Sequence, residues 1–389
     1  MKRRMERQNI AVIGGSAAGL FAARLLANRG LSVRVLERAD SLNPEERTLI
    51  VTRRMRSLLG EAAESSVLNE IRRFELFTDG RAATVTLREP DLIIERRSLI
   101  QRLAEDAAHS GAKIELGQRF HSLKADGDGL AIEVERCADG SRGEVRADTV
   151  IGADGATSRV ARSAGWAPMP TVPLVQAIVA LPKDMAADTV RVWFVPQDTP
   201  YFYWLIPESP KRGALGVIGE SGLETRRRLE QFLEKRKLDP LEFQGARVPV
   251  YRHWIPVRRR VGRGSVYLVG DAAGQVKVST VGGIVTGFRG ALGVAELILN
   301  GGSSRELQAL RRELDFHLLL RRSMHGFQQS DYSQLVDLLN DSTKQPLGVY
   351  TRDEAWKVLW RVWLRQPRLI LMGLRGLLMR SRSLNPPEV

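Results

Sequence analysis

Residues 266–283 hold the side chains and turns best suited to chemistry. The run Val266-Tyr267-Leu268-Val269 ends in Gly270-Asp271-Ala272-Ala273-Gly274, and the pair Gly282-Gly283 follows, then Ile284. A β-branched, apolar run that stops at glycines reads as a strand end meeting a helix N-terminus where the backbone must approach a ligand closely. An Asp among small residues can accept hydrogen bonds from ligand hydroxyls, and glycines let backbone amides face a flat ring.

Two further turns of this kind lie upstream. Ile10–Ile13 reads as a strand running into Gly14-Gly15-Ser16-Ala17-Ala18-Gly19, followed by an alanine-rich helix to about Arg29 and a second strand, Ser32–Leu36, that ends in Glu37 and Arg38. This is the dinucleotide fingerprint: pyrophosphate on the helix N-terminus, and an acidic residue about 20 positions on for a ribose hydroxyl. Serine stands where the middle glycine is usual, which predicts slightly less room for the pyrophosphate. The third turn is Val150-Ile151-Gly152-Ala153-Asp154-Gly155, leading to a helix start at Thr157-Ser158-Arg159. Asp154 and Gly155 read as architectural more than as direct ligands.

In this order the three turns resemble the FAD-binding segments of flavoproteins built like para-hydroxybenzoate hydroxylase. Within that superfamily the chain is most similar to the geranylgeranyl reductase family. Members read Gly-Asp-Ala-Ala-Gly-Gln-Val-Lys-Pro-Thr-x-Gly-Gly-Gly-Ile, and residues 270–284 match except for Val278 at the proline and Val281 at the first of the three glycines. The family's aromatic-x-Trp-x-apolar-Pro strand is matched by Phe202-Tyr203-Trp204-Leu205-Ile206-Pro207. The hydroxylases place His after Gly-Asp-Ala-Ala and a proline soon after, and this chain has neither. A cysteine common among the reductases after the first ribose segment is also missing, since 40–56 contain none.

The resemblance, which covers roughly 8–300, implies an α/β protein. A Rossmann-type FAD-binding domain (1–165 and 256–300) would be interleaved with an antiparallel-sheet substrate domain (166–255, with about 50–90 contributing), followed by a helical region at 301–389. It implies FAD held by Gly14, Ser16, Ala17, Ala18, Gly19, Glu37, Arg38, Arg96, Asp154, Gly155, Gly270 and Asp271. Arg97 is an equal alternative to Arg96 on chemistry alone. Backbone amides at Gly282, Gly283 and Ile284 would lie near the pyrimidine end of the ring, where they stabilise negative charge on reduced flavin. The implied reaction is hydride transfer from flavin N5 to carbon–carbon double bonds of a polyprenyl lipid or prenylquinone. Phe202 and Trp204 would line the prenyl channel, with Tyr203 on the other strand face, and the sequence leaves the proton donor open among water, Tyr201 and Tyr203. NAD(P)H or ferredoxin would supply electrons, the latter as a partner protein. The alternatives are an aromatic-type monooxygenase using NAD(P)H and oxygen, and an electron-carrying flavoprotein.

Along the chain, Arg97–Ser110 reads as a helix and 113–116 as a strand. The stretches 118–124, 130–136 and 144–151 read as a meander, 172–251 as mostly strands, 284–299 as a helix, and 305–340 as a long helix or helical pair.

Composition bounds the rest. The 389 residues carry 59 Lys and Arg against 45 Asp and Glu, a net charge of +14 that calls for an anionic partner. The arginines are scattered and no nucleic-acid motif is present. Trp356, Trp360 and Trp363 fall at i, i+4 and i+7, with Lys357, Arg361 and Arg365 on the neighbouring face, and 368–380 are apolar with basic punctuation. Tryptophan with basic residues is the pattern of a helix lying in a bilayer interface, so 356–380 are expected to touch an anionic membrane from the cytoplasmic side. The basic N-terminus (Lys2, Arg3, Arg4, Arg7) before an apolar run imitates a signal peptide, but cleavage there would destroy the Gly14–Gly19 turn. The single cysteine, Cys137, suits a reducing compartment. The five histidines show no metal-ligand spacing.

Overall fold

The three turns are brought together by one parallel sheet. The computed structural model describes residues 9–383, so Lys2, Arg3, Arg4 and Arg7 lie outside the described residues, as do the side chains from 378 onward, Arg380 among them. The sheet runs Arg258–Val261, Gly264–Leu268, Thr149–Gly152, Asn9–Ile13, Ser32–Leu36, Lys113–Glu115. All neighbours are parallel except the antiparallel edge strand Arg258–Val261. Gly264–Leu268, Thr149–Gly152 and Asn9–Ile13 are adjacent, so the turns after Leu268, Gly152 and Ile13 open at one edge. Ligands of open α/β sheets bind at that carboxyl edge. The buried runs Ile10–Ile13 and Val266–Leu268 pack with Leu20, Phe21 and Leu26 of helix Ala17–Ala27 and with Phe288 and Val294 of helix Ile284–Asn300.

An eight-stranded sheet stands beside it, in the order Pro240–Pro249, Thr171–Ala180, Arg212–Ile218, Tyr203–Pro207, Thr189–Trp193, Val67–Thr78, Arg81–Glu95, Thr48–Val51. It is antiparallel except where Thr189–Trp193 pairs parallel with Val67–Thr78, the seam at which strands from before and after residues 96–170 meet. Each face is covered. Tyr203, Leu205, Leu215 and Val217 pack against Phe232 and Leu229 of helix Gly222–Arg236. Trp204, Ile206, Phe194 and Tyr201 pack with Tyr332, Met324 and Phe327, contributed by the helices Arg305–Met324 and Gln329–Asp337 and the turn between them.

Three local readings are corrected. The stretch 144–151 is two strands: Arg142–Ala147 closes a three-stranded meander with Gln118–Asp126 and Gly129–Arg136, whereas Thr149–Gly152 enters the parallel sheet. The break falls at Asp148, whose carboxylate accepts the Asn9 N–H at 2.8 Å. Gly222–Arg236 is a helix within the strand-rich region, burying Thr225, Leu229, Phe232 and Leu233 at helical spacing beneath a highly charged surface. The helix at 96–109 starts one residue earlier than its pattern suggests, because Glu95 caps it by accepting from the N–H groups of Arg97 and Ser98, both at 2.8 Å.

The helices Asp341–Val349, Ala355–Arg365 and Arg368–Ser383 end the described chain. Among the described residues, no helix is long and apolar enough to cross a membrane.

Candidate active site

Gly14 leaves its strand with φ of 104°, and a Cβ there would lie 2.6 Å from the carbonyl oxygen of Ala153. Glycine is obligatory at that point. Ser16 is different. It sits at φ −77°, ψ 163° as the N-cap of Ala17–Ala27, its hydroxyl accepting the Gly19 N–H at 3.2 Å. Serine at the middle position is therefore a favoured cap rather than an obstruction. Ala17, Ala18 and Gly19 form the buried first turn, whose N–H groups lack intrahelical acceptors and favour an anion beyond the helix end.

Glu37 ties the second strand to this turn. Its carboxylate accepts the Gly15 N–H at 2.6 Å through one oxygen and the Ala39 N–H at 2.9 Å through the other. Each oxygen retains a lone pair, the requirement for a ribose hydroxyl. A cleft of about 930 Å³ opens here, lined by Gly14, Ser16, Glu37, Arg38, Arg96, Asp154 and Gly155, with Arg119, Arg159 and Arg162 at its wall. Asp154 is architectural: it accepts from the Ser158 hydroxyl at 2.6 Å and from the N–H groups of Arg159 at 2.7 Å and Val160 at 3.1 Å, holding the short helix Arg159–Ser163. The two arginines left equal by the sequence separate. Arg97 is committed to the Pro44 carbonyl at 2.9 Å and to Glu46 at 3.0 Å, whereas Arg96 faces the cleft.

Gly270 and Asp271 begin a short 3-10 turn that does not itself line the cleft but brings Asp271 into electrostatic contact with Arg96, which does. Burial raises the Asp271 carboxyl above the usual carboxylate range, and the cations Arg47 and Arg96 oppose that shift. Arg47, absent from the sequence expectations, is pushed down to about 10 by burial, with Arg96 adding to the shift and Asp271 opposing it. Its Nε is buried with no hydrogen-bond partner. A buried, unpaired guanidinium donor costs free energy unless an acceptor arrives, as a phosphate or ribityl oxygen would. Nothing in the sequence distinguished Arg47 among 59 basic residues.

Beyond the turn, Lys277 and Gly282 pair across a tight loop. Gly283 then caps helix Ile284–Asn300, and a Cβ on it would stand 3.2 Å from the Asp271 carboxylate. The two family departures now have locations. Val278 is buried in a cluster with Tyr251, Leu310 and Leu314. Val281 takes φ of 55°, left-handed backbone in which a β-branched residue is strained, and packs against the aromatic face of the large sheet.

On that face Phe202 and Trp204 meet edge to face at 6.1 Å. The Trp204 Nε1 is buried without a partner. Tyr201 lies there too, beneath the Arg321 guanidinium at 3.9 Å. Tyr203 faces the opposite side of the sheet, stacks on Phe232 at 4.0 Å, and donates its hydroxyl to Asp198 at 3.1 Å. Burial pushes its phenol far above the ordinary value, and its side chain belongs to the cluster on the face away from Trp204.

A layer of buried charge, also unseen in the sequence, lies behind the loop. Lys277 pairs with Asp353, which also accepts from Thr52, and Arg289 pairs with Glu306 and Glu313. Arg352 pairs with Asp91 at 2.8 Å. His317 Nε2 lies 3.1 Å from the Arg352 carbonyl, which only accepts, so that nitrogen carries the proton and Nδ1 accepts from the Ser279 hydroxyl at 2.5 Å.

The family model described as FAD binding domain matches residues 7–300. Digeranylgeranylglycerophospholipid reductase 2 of Methanothermobacter thermautotrophicus is 31% identical over 301 residues, 72% of this chain and 74% of that one. A geranylgeranyl bacteriochlorophyll reductase-like protein of Thermoplasma acidophilum superposes with a TM-score of 0.77 at 20% identity, covering 95% of this chain and 99% of that chain. A p-nitrophenol 4-monooxygenase of Pseudomonas putida superposes at 0.61 with 18% identity, over 98% and 99% of the two chains. The glycine cradle at Gly14, the paired lone pairs of Glu37 and the orphaned Arg47 Nε fit FAD.

Proposed function

The chain belongs to the geranylgeranyl reductase family of FAD-binding oxidoreductases, and from that premise we propose that it saturates carbon–carbon double bonds in the polyprenyl chains of a lipid or prenylquinone. The observation that carries this reading is the 31% identity to a digeranylgeranylglycerophospholipid reductase over 72% of the chain. The aromatic face with Phe202 and Trp204 is the apolar wall such a chain would need.

The roles of individual residues follow. Ser16, Ala17 and Ala18 present the helix N-terminus to the pyrophosphate, Glu37 takes the ribose, and Arg47 and Arg96 hold oxygens between Asp271 and the cleft. The backbone of Gly282, Gly283 and Ile284 would face the pyrimidine end of the ring. FAD held there would, once reduced, supply the hydride. An isolated alkene is a poor hydride acceptor, so the chain's own task is placement and dryness. Phe202 and Trp204 would hold the prenyl chain beside the Phe194–Tyr332 stack, whose rings lie 4.7 Å apart, and water would be kept from the reacting carbons. Such positioning is worth up to about 7–11 kcal/mol of a barrier. Electrons would come from NAD(P)H or a ferredoxin.

A membrane-borne substrate calls for contact with the bilayer, and helix Ala355–Arg365 offers it. Val358 and Val362 are buried against the body, whereas Trp356, Trp360 and Leu364 are 56%, 59% and 69% exposed at i, i+4 and i+8. Trp363 turns to the edge and is half-buried. Leu371 and Leu374, at 67% and 51%, extend the apolar surface along the next helix. The neighbouring basic residues are partly engaged: Lys357 with Glu354 at 2.6 Å and Arg361 over the Tyr350 ring at 4.4 Å.

The test is to reduce the FAD-loaded protein with dithionite under anaerobic conditions, add a geranylgeranyl phospholipid or prenylquinone, and look by mass spectrometry for gain of dihydrogen per double bond. Saturation is the expected result. Oxygen consumption driven by NAD(P)H on an aromatic substrate, without saturation, would move the assignment to a monooxygenase.

A further inference from the structure

The buried layer behind the flavin loop has an orientation. Lys277 and Asp353 are 4% and 3% exposed, and their ion pair joins the loop to the turn Arg352–Glu354, 76 residues later in the chain. Lys277 donates its backbone N–H to the Gly282 carbonyl at 3.1 Å. Its side chain runs under that glycine: a Cβ on Gly282 would lie 3.3 Å from Lys277 Cε and 3.7 Å from Nζ. Asp353 meets the Lys277 ammonium and is fixed by the Thr52 hydroxyl. The other charges are spoken for. Asp91 faces Arg352 and Glu313 faces Arg289. His317 is neutral, its imidazole pushed down to about 3 chiefly by burial.

We propose that Lys277, held in place by Asp353, sets the reduction potential of the bound flavin. The proposal rests on the placement of the Gly282–Ile284 backbone against the pyrimidine end of the ring. Two-electron reduction with uptake of one proton leaves net negative charge at that end of a flavin. A buried ammonium beneath the same backbone adds to the field of the helix N-terminus and favours the reduced state. In a water-poor setting that field is weakly screened. The carboxylate of Asp353 both positions the ammonium and offsets part of its field.

The two charges therefore have opposite electrostatic signatures, which a purely structural pair would not. The experiment is a spectroscopic redox titration of FAD-loaded protein without lipid substrate. Lys277→Met is expected to weaken reduced relative to oxidised flavin about tenfold, a fall of about 30 mV for a two-electron couple, and Asp353→Asn to shift it upward by a smaller amount, because Asp353 lies farther from the glycines than Lys277. Should either single variant lose FAD, the double variant K277Q/D353N keeps a neutral hydrogen-bonded pair. Its potential is expected below that of the unsubstituted protein, because the charge nearest the glycines has gone. Potentials that stay unchanged in the singles, or in the double where the singles lose FAD, or singles that move in the same direction, overturn the proposal. Because no prenyl substrate is present, a failure to saturate lipid leaves this result standing, and unchanged potentials leave the proposed reaction standing.

Discussion

The Glu37 carboxylate accepts the Gly15 amide at 2.6 Å across 22 residues, so the group offered to the ribose is also the group that holds the glycine turn. Glu37→Ala leaves that N–H unpaired and removes the acceptor from the cleft. An unsatisfied buried group costs about 1–3 kcal/mol, so FAD affinity should fall by about 5- to 150-fold in a spectral titration, with the fold retained by circular dichroism.

Positions 14 and 16 of the same turn should respond oppositely. Gly14→Ala drives a Cβ to 2.6 Å from the Ala153 carbonyl at a φ of 104°, and FAD binding should be lost with a large fall in melting temperature. Ser16→Gly keeps a residue tolerated at an N-cap and should cost only a few tenths of a kcal/mol, against about 0.5–2 kcal/mol for Ser16→Ala.

On the substrate sheet the strand alternation divides neighbours. Trp204→Ala should raise KM for prenyl lipid strongly, because its ring belongs to the aromatic face. Tyr203→Phe loses the hydrogen bond to Asp198 on the opposite face. It should cost about 1 kcal/mol of stability and leave turnover unchanged, as a denaturation midpoint and a steady-state assay would show.

The buried histidine makes the protein acid-sensitive. His317 titrates near 3 in the folded state against 6.5 ordinarily, so below pH 6.5 the unfolded chain binds a proton that the folded chain refuses. Stability then falls as pH drops from 6.5 towards 3, by at most about 1.4 kcal/mol per pH unit. Asp353, held at about 2 by Lys277 and Thr52 against the opposing effect of burial, adds a loss only below about pH 4. His317→Gln should flatten the urea midpoint between pH 6.5 and 4 while leaving the steeper fall below it.

Membrane contact predicts a measurable partition. Anionic vesicles should co-float with the protein, less so at high salt, and W356A/W360A/L364A should abolish flotation without altering FAD content. Equal flotation of this variant would remove the helix Ala355–Arg365 from the docking surface.

Local chemistry made much of this protein legible in its sequence. Glycines at 14, 152 and 270, each at the end of an apolar run, state that strands stop where a ligand begins, and Glu37 and Asp271 state what kind of ligand. These signals span a few residues because turn and cap geometry is set by neighbours in the chain. Strand alternation likewise placed Trp204 and Tyr203 on opposite faces. What needed the tertiary structure is whatever joins distant segments. That Asn9–Ile13, Thr149–Gly152 and Gly264–Leu268 lie side by side, that Arg47 reaches Asp271, and that Asp353 meets Lys277 are long-range pairings. A lone Arg, Lys or Asp in a chain with 104 charged residues of these kinds carries no mark of burial (59 basic and 45 acidic). Burial is conferred by packing of elements up to hundreds of positions apart, as Thr52 and Asp353 are, and it is burial that turns such side chains from solvated charges into groups able to act on a cofactor.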